Sequence, residues 1–341
     1  RIGALSNNIT LALKAESVRV QAPIPGKGVV GIEVPNAKPA PVVLRQLLES
    51  AAWTTSKAAL PLALGQDVGG HVLMADLAEL PHMLIAGATG QGKTVCMNSI
   101  LAGLLMKRTP DELRLILIDL KIVEFSGYND LPHLLVPVIT DAKTVIKELR
   151  WAIEEMEKRF KMFRQANVRN IRSFNQRSKG TRCDGKMDEV PLPDRLPYVV
   201  IIIDELADLM LMAQREIEPR IQKLTQLAHA TGIHMIIATQ RPTDDVLTDK
   251  IKSNNPGRVA FKVATRKDSC VIIDQEGAEK LLGNGDMLVL KCGTELVRGQ
   301  GALSRDEETQ VIIDHWKHQG MAQSQMVEEC PRKQIDDQKS D

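Results

Sequence analysis

The sequence predicts an α/β fold, with a mostly parallel central sheet flanked by helices and preceded by part of a small α+β module. Three observations carry this. Short strands alternate with helical segments from about residue 83 to 319, the order that builds parallel β-α units. Two of those strands, 113–119 and 198–203, are apolar at nearly every position, as strands covered on both faces are. Finally, Gly87-Ala88-Thr89-Gly90-Gln91-Gly92-Lys93-Thr94 stands between a strand, 83–86, and a helix, 95–107. In that context G-x-x-x-x-G-K-[ST] marks a nucleotide phosphate site.

At 341 residues the chain can bury a large core in one large or two ordinary domains. Hydrophobic residues at 43% and charged residues at 26% match an ordinary globular protein, and no apolar run reaches the ~18 residues that span a bilayer. A net charge of +1 excludes a globally basic nucleic-acid binder but leaves room for a local basic surface. Aromatics at 3% make base stacking a poor mode of binding. The five cysteines are scattered without C-x-x-C spacing, which argues against a disulfide framework or zinc site and for a reducing compartment.

Taken in order, residues 1–35 hold the apolar runs Ile9-Thr10-Leu11-Ala12-Leu13 and Val18-Arg19-Val20 between Pro/Gly turns, and read as strands. Prolines between 35 and 41 mark a boundary. The expected division is a partial module over 1–40, a main domain over 41–321, and a polar, disordered tail over 322–341. Within the main domain a helix is expected at 42–50, a hairpin at 61–74, and then the strand and helix around the phosphate loop. Residues 142–166 give the clearest helix: Val145, Leu149, Ala152, Met156, Phe160 and Phe163 recur at helical steps as one core stripe. Residues 174–197, polar and rich in Gly and Pro, read as a loop or a flexible hairpin. Strands follow at 198–203, 234–239, 258–263 and 286–290, with helices at 214–231, 276–282 and 306–319 and a helical turn at 245–253.

The chemistry starts at the loop. Its glycines let backbone N–H groups close around phosphate oxygens, and the helix N-terminus adds partial positive charge. Gly87, Ala88, Thr89, Gly90, Gln91, Gly92, Lys93, Thr94 and Val95 therefore form the candidate nucleotide cradle. Lys93 suits the β- and γ-phosphates, and the Thr94 hydroxyl suits Mg²⁺. A phosphate loop alone fits a kinase, a GTPase or a motor. Asp204-Glu205, after four apolar residues, narrows this to a hydrolytic ATPase: Asp204 for the Mg²⁺ shell, Glu205 to polarise the attacking water. Gln240, ending the strand 234–239, suits a hydrogen bond to that water or the γ-phosphate and so a report of nucleotide state. Residues 158–182 carry nine Lys or Arg and no Asp or Glu, and are read as a solvated face rather than a DNA surface. His82, His133 and His234 lack metal-ligand spacing and are read as core or turn residues.

Several collinear blocks together resemble the FtsK/SpoIIIE family of double-stranded DNA translocases. They are Leu80-Pro81-His82-Met83-Leu84-Ile85-Ala86-Gly87, the phosphate loop, Asp119 with Lys121, Leu131-Pro132-His133-Leu134-Leu135, Asp204-Glu205-Leu206-Ala207-Asp208-Leu209-Met210, Gly232-Ile233-His234, Ala238-Thr239-Gln240-Arg241-Pro242, and Leu281-Leu282-Gly283-Asn284-Gly285-Asp286-Met287-Leu288. The resemblance runs from the N-terminal module to about residue 318. It implies a RecA-like P-loop NTPase that hydrolyses ATP with Mg²⁺ and assembles as a homo-hexamer around double-stranded DNA, pulling it through the division septum in chromosome segregation. It also implies that Thr239 and Arg241, and Arg266 in a second loop, touch the DNA backbone.

Three positions depart from the family pattern. His229 stands where the family has its arginine finger, so either His229 serves in trans, Arg220 substitutes, or the trigger between subunits is weakened. Cys270 replaces a channel-loop Arg, and Leu120 replaces the Pro of Asp-Pro-Lys. Full-length relatives carry membrane helices, a linker and a winged-helix domain. Beginning at Arg1, this chain is read as the motor portion alone, itself cytoplasmic, of a protein anchored in the inner membrane at the septum, with division and recombination partners reached through other regions. Two alternatives stay open: a related hexameric secretion-type ATPase that moves protein, or a nucleotide-switched inactive paralogue.

Overall fold

The sheet orders its nine strands so that the glycine-rich loop leaves from the middle. The computed structural model describes residues 5–15, 18–21, 28–36, 38–177, 192–291 and 296–323. In chain order, α1 (Ser6–Ala12), β1 (Arg19–Gln21) and β2 (Gly31–Glu33) form the N-terminal module. Next come α2 (Leu44–Glu49), α3 (Ala51–Thr54), β3 (Pro61–Asp67), β4 (Val72–Asp76), β5 (His82–Ala86), α4 (Lys93–Lys107) and β6 (Leu113–Ile118). Then follow α5 (Ala142–Gln165), α6 (Ile171–Gln176), β7 (Tyr198–Ile203), α7 (Leu206–Leu227), β8 (Ile233–Thr239), α8 (Asp249–Lys252) and β9 (Gly257–Phe261). The chain closes with α9 (Arg266–Ile273), β10 (Asp286–Leu290), β11 (Leu296–Gly301) and α10 (Asp306–Gln323).

The strand order is β4-β3-β11-β10-β9-β5-β8-β7-β6. The strands from β9 to β6 run parallel, and β10, β11, β3 and β4 extend them antiparallel. Alternation along each parallel strand sorts side chains onto two cores. Leu84, Ile116, Ile201 and Ile237 join α5, α7 and α9 on one face. Met83, Leu115, Ile202 and Ala238 meet α4 on the other. The α4 helix is buried almost all round, because Trp53 covers Gly103 and the Trp316 indole of α10 donates to the Leu105 carbonyl at 3.0 Å. A short β1-β2 ladder holds the N-terminal module together, and Glu33 joins it to the sheet by accepting from Arg298 at 3.0 Å.

Four expectations need correcting. Residues 9–13 lie in and just after α1, where Leu13 N–H closes a turn on the Ile9 carbonyl; Leu and Ala favour helix over an unpartnered strand. The helix expected at 276–282 is one 3₁₀ turn, Ala278–Lys280, bracketed by Gly277 and Gly283 at positive φ. The helix expected at 214–231 forms beyond a break at Ala213 and ends in a 3₁₀ turn over Ala228–Thr231, but a first helical segment from Leu206, directly after Glu205, precedes it and was not expected. In α5 the core stripe passes through Arg159, which is buried, while Phe160 is half-exposed. The seven-residue rhythm of 145, 149, 152, 156, 159 and 163 explains why.

Two elements escape pattern reading. β11 is too polar and glycine-rich to announce a strand: a Cβ at Gly299 would lie 2.8 Å from the Gln66 backbone oxygen, so packing against β3 favours the glycine. α9 announces itself only through its capping box, Thr265 with Asp268. Residues 178–191, most of the expected loop, and 324–341, most of the expected tail, lie outside the described residues.

Candidate nucleotide-binding site

Three adjacent strand tips meet at the C-terminal edge of the parallel strands. β8 lies between β5 and β7, so the loop after β5, Asp204-Glu205 after β7 and Thr239-Gln240 at the end of β8 are neighbours. This edge is where ligands bind in open α/β sheets. The loop is shaped by its glycines. Gly90 and Gly92 hold positive φ, and a Cβ on Gly92 would fall 2.8 Å from Gly285 Cα. A Cβ on Gly87 would lie 2.5 Å from the Phe261 Cβ. The first turn of α4 has no intrahelical acceptors for the N–H groups of Lys93, Thr94 and Val95, which remain for an anion. Ala88 N–H, in contrast, donates to the Lys262 carbonyl at 2.9 Å and serves the loop's shape.

Lys93 is buried and donates twice to Asp204, at 2.6 Å to its carbonyl and 2.8 Å to Oδ1. An ammonium has three donors, so one remains for a phosphate. Burial raises the Asp204 carboxyl above its ordinary range, and the charge and hydrogen bond of Lys93 pull it back. The Thr94 hydroxyl donates to Glu124 Oε1 at 2.9 Å, leaving its lone pairs for a cation. Burial also raises the half-buried Glu124, and the Thr94 hydrogen bond opposes this. Glu205 caps α7, and its carboxylate accepts from Ala207 N–H at 3.1 Å, the Thr239 hydroxyl at 2.6 Å and Gln240 N–H at 2.8 Å. The Gln240 side chain reaches the loop directly, accepting from the Thr89 hydroxyl at 2.8 Å.

A cavity of about 830 Å³ opens along the loop, within the range of small-molecule sites. Its lining adds segments that the sequence had not assigned to the site: Pro39 to Val42, Gly283-Asn284-Gly285, and Gln300 to Leu303. Gly283, Asn284 and Gly285 all take positive φ, and Gly285 N–H donates to the Gln91 carbonyl at 3.0 Å, so this turn braces the phosphate loop. Its Gly-Asn-Gly composition was the available signal. Glu124 had no such signal. It is placed by Asp119, whose buried carboxylate accepts the N–H groups of Lys121, Ile122, Val123, Glu124 and Phe125. A nucleotide fits this arrangement: a loop whose Gly87 and Gly92 have no room for a Cβ, a buried lysine, and a hydroxyl and carboxylate beside it. Mg²⁺ fits too, since it binds through few protein oxygens plus phosphates. Among the described residues no three His, Cys, Asp or Glu gather to hold a metal unaided.

Other expected residues fall outside this cluster. His229 is exposed at the opposite end of β8; the seven-residue strand spans about 23 Å at ~3.3 Å per residue. Arg220 lies midway along α7, bonded to the Glu216 carbonyl. Arg241 is exposed just past β8, and Arg266 opens α9, paired with Glu276. Thr239 requires correction. Wholly buried and bonded to Glu205, it presents no oxygen to a DNA backbone. Arg159 also departs from the solvated face expected of 158–182: it is buried, donating to the Pro197 and Thr231 carbonyls at 2.8 and 2.9 Å.

Comparison with known proteins places this geometry. The model of the FtsK/SpoIIIE family matches residues 43–244, and that of the FtsK alpha domain matches 1–36. The chain belongs to the FtsK/SpoIIIE family. It is 48% identical over 320 residues to DNA translocase SftA of Bacillus subtilis, covering 94% of this chain and 33% of SftA. It is 45% identical over 340 residues to a DNA translocase FtsK of Oceanobacillus iheyensis, covering 99% of this chain and 43% of that protein. The chain thus spans under half the length of these family members. In fold it is similar to the pCW3 conjugation coupling protein TcpA, with a TM-score of 0.69 at 24% identity over 92% of this chain and 85% of TcpA. The type VII secretion ATPase EccC of Thermomonospora curvata gives 0.65 at 21% identity over 82% of this chain and 34% of EccC.

Proposed function

We propose that this chain is an ATP-hydrolysing motor that moves double-stranded DNA, working as a homo-hexamer around the duplex in chromosome segregation, within a protein anchored at the division septum. The proposed division is an N-terminal module over 1–40, the motor over 41–321 and a polar tail over 322–341. One observation carries the reading: Lys93, Asp204, Glu205 and Gln240 converge at three neighbouring strand tips, and the chain runs from that cluster straight to the exposed Arg241.

Gly87 to Val95 would hold the phosphates of ATP, with Lys93 turning its third N–H to them. Bound Mg²⁺ would neutralise charge on the transferring phosphoryl group. Thr94 and Asp204 would hold it. Glu205 would orient the attacking water and accept its proton, and Gln240, tied to Thr89, would sense the γ-phosphate end. Arg241, with Arg266 once released from Glu276, would contact DNA phosphates without reading sequence. His229 lies too far from the nucleotide of its own subunit, so any finger role is across a subunit boundary.

The test is ATP hydrolysis with and without linear duplex DNA, for wild type and Glu205→Ala. Duplex stimulation that vanishes in Glu205→Ala supports the reading. Stimulation by a secreted peptide but not by DNA would move it to a protein-moving ATPase. For the finger, His229→Ala subunits mixed with Lys93→Ala subunits should hydrolyse less than wild type mixed with Lys93→Ala; equal rates make His229 a bystander.

A further inference from the structure

The burial of Thr239 leaves a question: why does a hydroxyl sit at the joint between base and DNA loop? Its oxygen makes two short bonds in line, with the Arg241 carbonyl farther off at 3.4 Å. It accepts from the backbone N–H of Arg241 at 3.1 Å and donates to Glu205 Oε1 at 2.6 Å. The next N–H back, that of Gln240, donates to the other carboxylate oxygen at 2.8 Å. Both oxygens of Glu205 are therefore held by the tip of β8, and the fixed anchor is the Ala207 N–H at the start of α7. The tip also carries the Gln240 side chain to Thr89 of the phosphate loop. Beyond it the chain turns, with Thr243 N–H donating to the Arg241 carbonyl at 2.9 Å, so the peptide units of Arg241 are bonded on both sides. A shift of the Arg241 backbone strains its bond to the Thr239 hydroxyl, and any rotation of that hydroxyl changes what holds Glu205.

We propose that Thr239 is a positioning residue that couples the DNA-contacting loop to the catalytic glutamate through the chain Arg241 N–H to Thr239 hydroxyl to Glu205 carboxylate. The hydroxyl is needed because it alone accepts and donates at once; a methyl group of the same size does neither. The proposal rests on the reading of Arg241 as a DNA contact and of Glu205 as the base. It assigns Thr239 no contact with DNA or nucleotide.

The test compares Thr239→Val, Thr239→Ser and wild type in the full chain, measuring hydrolysis with and without linear duplex DNA. Alongside go DNA affinity, affinity for a fluorescent ATP analogue, and thermal unfolding. In Thr239→Val the ratio of DNA-stimulated to basal hydrolysis is expected to fall about tenfold, the fold-change of one lost hydrogen bond to a charged group. Both affinities should stay within about twofold, since neither site loses a contact. Thr239→Ser, which keeps the hydroxyl, should restore the ratio. An unchanged ratio in Thr239→Val overturns the proposal, as does weakened DNA binding, which would make Thr239 a direct contact. Should Thr239→Val fail to fold, Thr239→Ala takes its place beside Thr239→Ser: a ratio lost in Thr239→Ala and kept in Thr239→Ser supports the coupling, and a ratio kept in Thr239→Ala or lost in Thr239→Ser refutes it. Wild type without any DNA stimulation would instead remove the DNA reading itself, a distinguishable failure.

Discussion

The two ends of the same parallel strands solve one problem in opposite ways. Both bury charged and polar side chains. At the N-terminal end the partners are mainly backbone: Arg159 donates to the carbonyls of Pro197 and Thr231 as well as to Glu155, the His234 ring to the Pro81 carbonyl, and His82 accepts from Met235 N–H. The second ring nitrogens of both histidines are buried without a partner among the described residues. At the C-terminal end backbone contacts remain, but side chains also pair with one another: Lys93 with Asp204, Thr94 with Glu124, Thr239 with Glu205, Thr89 with Gln240. Backbone partners are fixed by the fold, whereas side-chain partners can be exchanged for a ligand's atoms. The difference separates a structural edge from a working one, and mutations should divide along it.

The largest expected effect is at the working edge. Glu205→Gln keeps size and most hydrogen bonds but removes the proton acceptor, so hydrolysis should drop roughly 10²- to 10⁴-fold. Nucleotide affinity, set by the loop, should stay near wild type. An equal loss of binding and turnover would show Glu205 to be structural, and the comparison would break there. Arg159→Met should do the reverse. It leaves the buried Thr231 carbonyl and the partly buried Pro197 carbonyl without the guanidinium and Glu155 with only Lys158, costing about 3–5 kcal/mol of stability in urea unfolding while ATP-analogue affinity holds.

The pH profile sharpens the same contrast. Burial lowers His133 and His234 to about 4, and lowers His82 well below its ordinary value. Because the folded pKa lies below that of the unfolded chain, ~6.5, the unfolded state binds more protons between the two. Stability is therefore complete above pH ~6.5 and lost as pH falls towards 4, by about 1.4 kcal/mol per unit for each histidine. Unfolding free energies from pH 7 to 5 check this, and His234→Gln should remove one share of the slope. A slope unchanged in that variant would mean His234 is protonated in the fold.

These two edges were unequally legible in the sequence. The working edge advertised itself, since phosphate chemistry needs particular residues at fixed spacing: Gly87 to Thr94 and Asp204-Glu205 could be named without coordinates. Burial could not. Thr239 looked like a short donor for DNA, and only the packing of β8 between β5 and β7 turned it inward. Arg159 read as one charge in a basic run because a single charged residue inside an apolar stripe breaks no periodicity that Phe160 cannot repair. Glu124 reaches Thr94 through a turn wound on Asp119, a tertiary fact without a motif. The antiparallel strands β10 and β11 stand between these cases: β10 is apolar and visible, β11 is glycine-rich and was not.

The smallest expected effect tests whether exchange of partners extends to the rim. Arg266 begins α9 beyond the C-terminal end of β9, on the working edge, and its guanidinium is paired with Glu276, both well exposed to solvent. An exposed pair contributes only about 0.2–1 kcal/mol, so a DNA phosphate competes with Glu276 on nearly even terms. Glu276→Gln removes the competitor and should tighten duplex binding about two- to fivefold at low salt, with no change in stability beyond ~0.5 kcal/mol. The gain should shrink as salt rises, because both the pair and the phosphate contact are screened. Fluorescence anisotropy of labelled duplex across a salt series reads this directly. A variant that binds no better at low salt would place Arg266 away from the DNA and leave Arg241 as the contact of this edge.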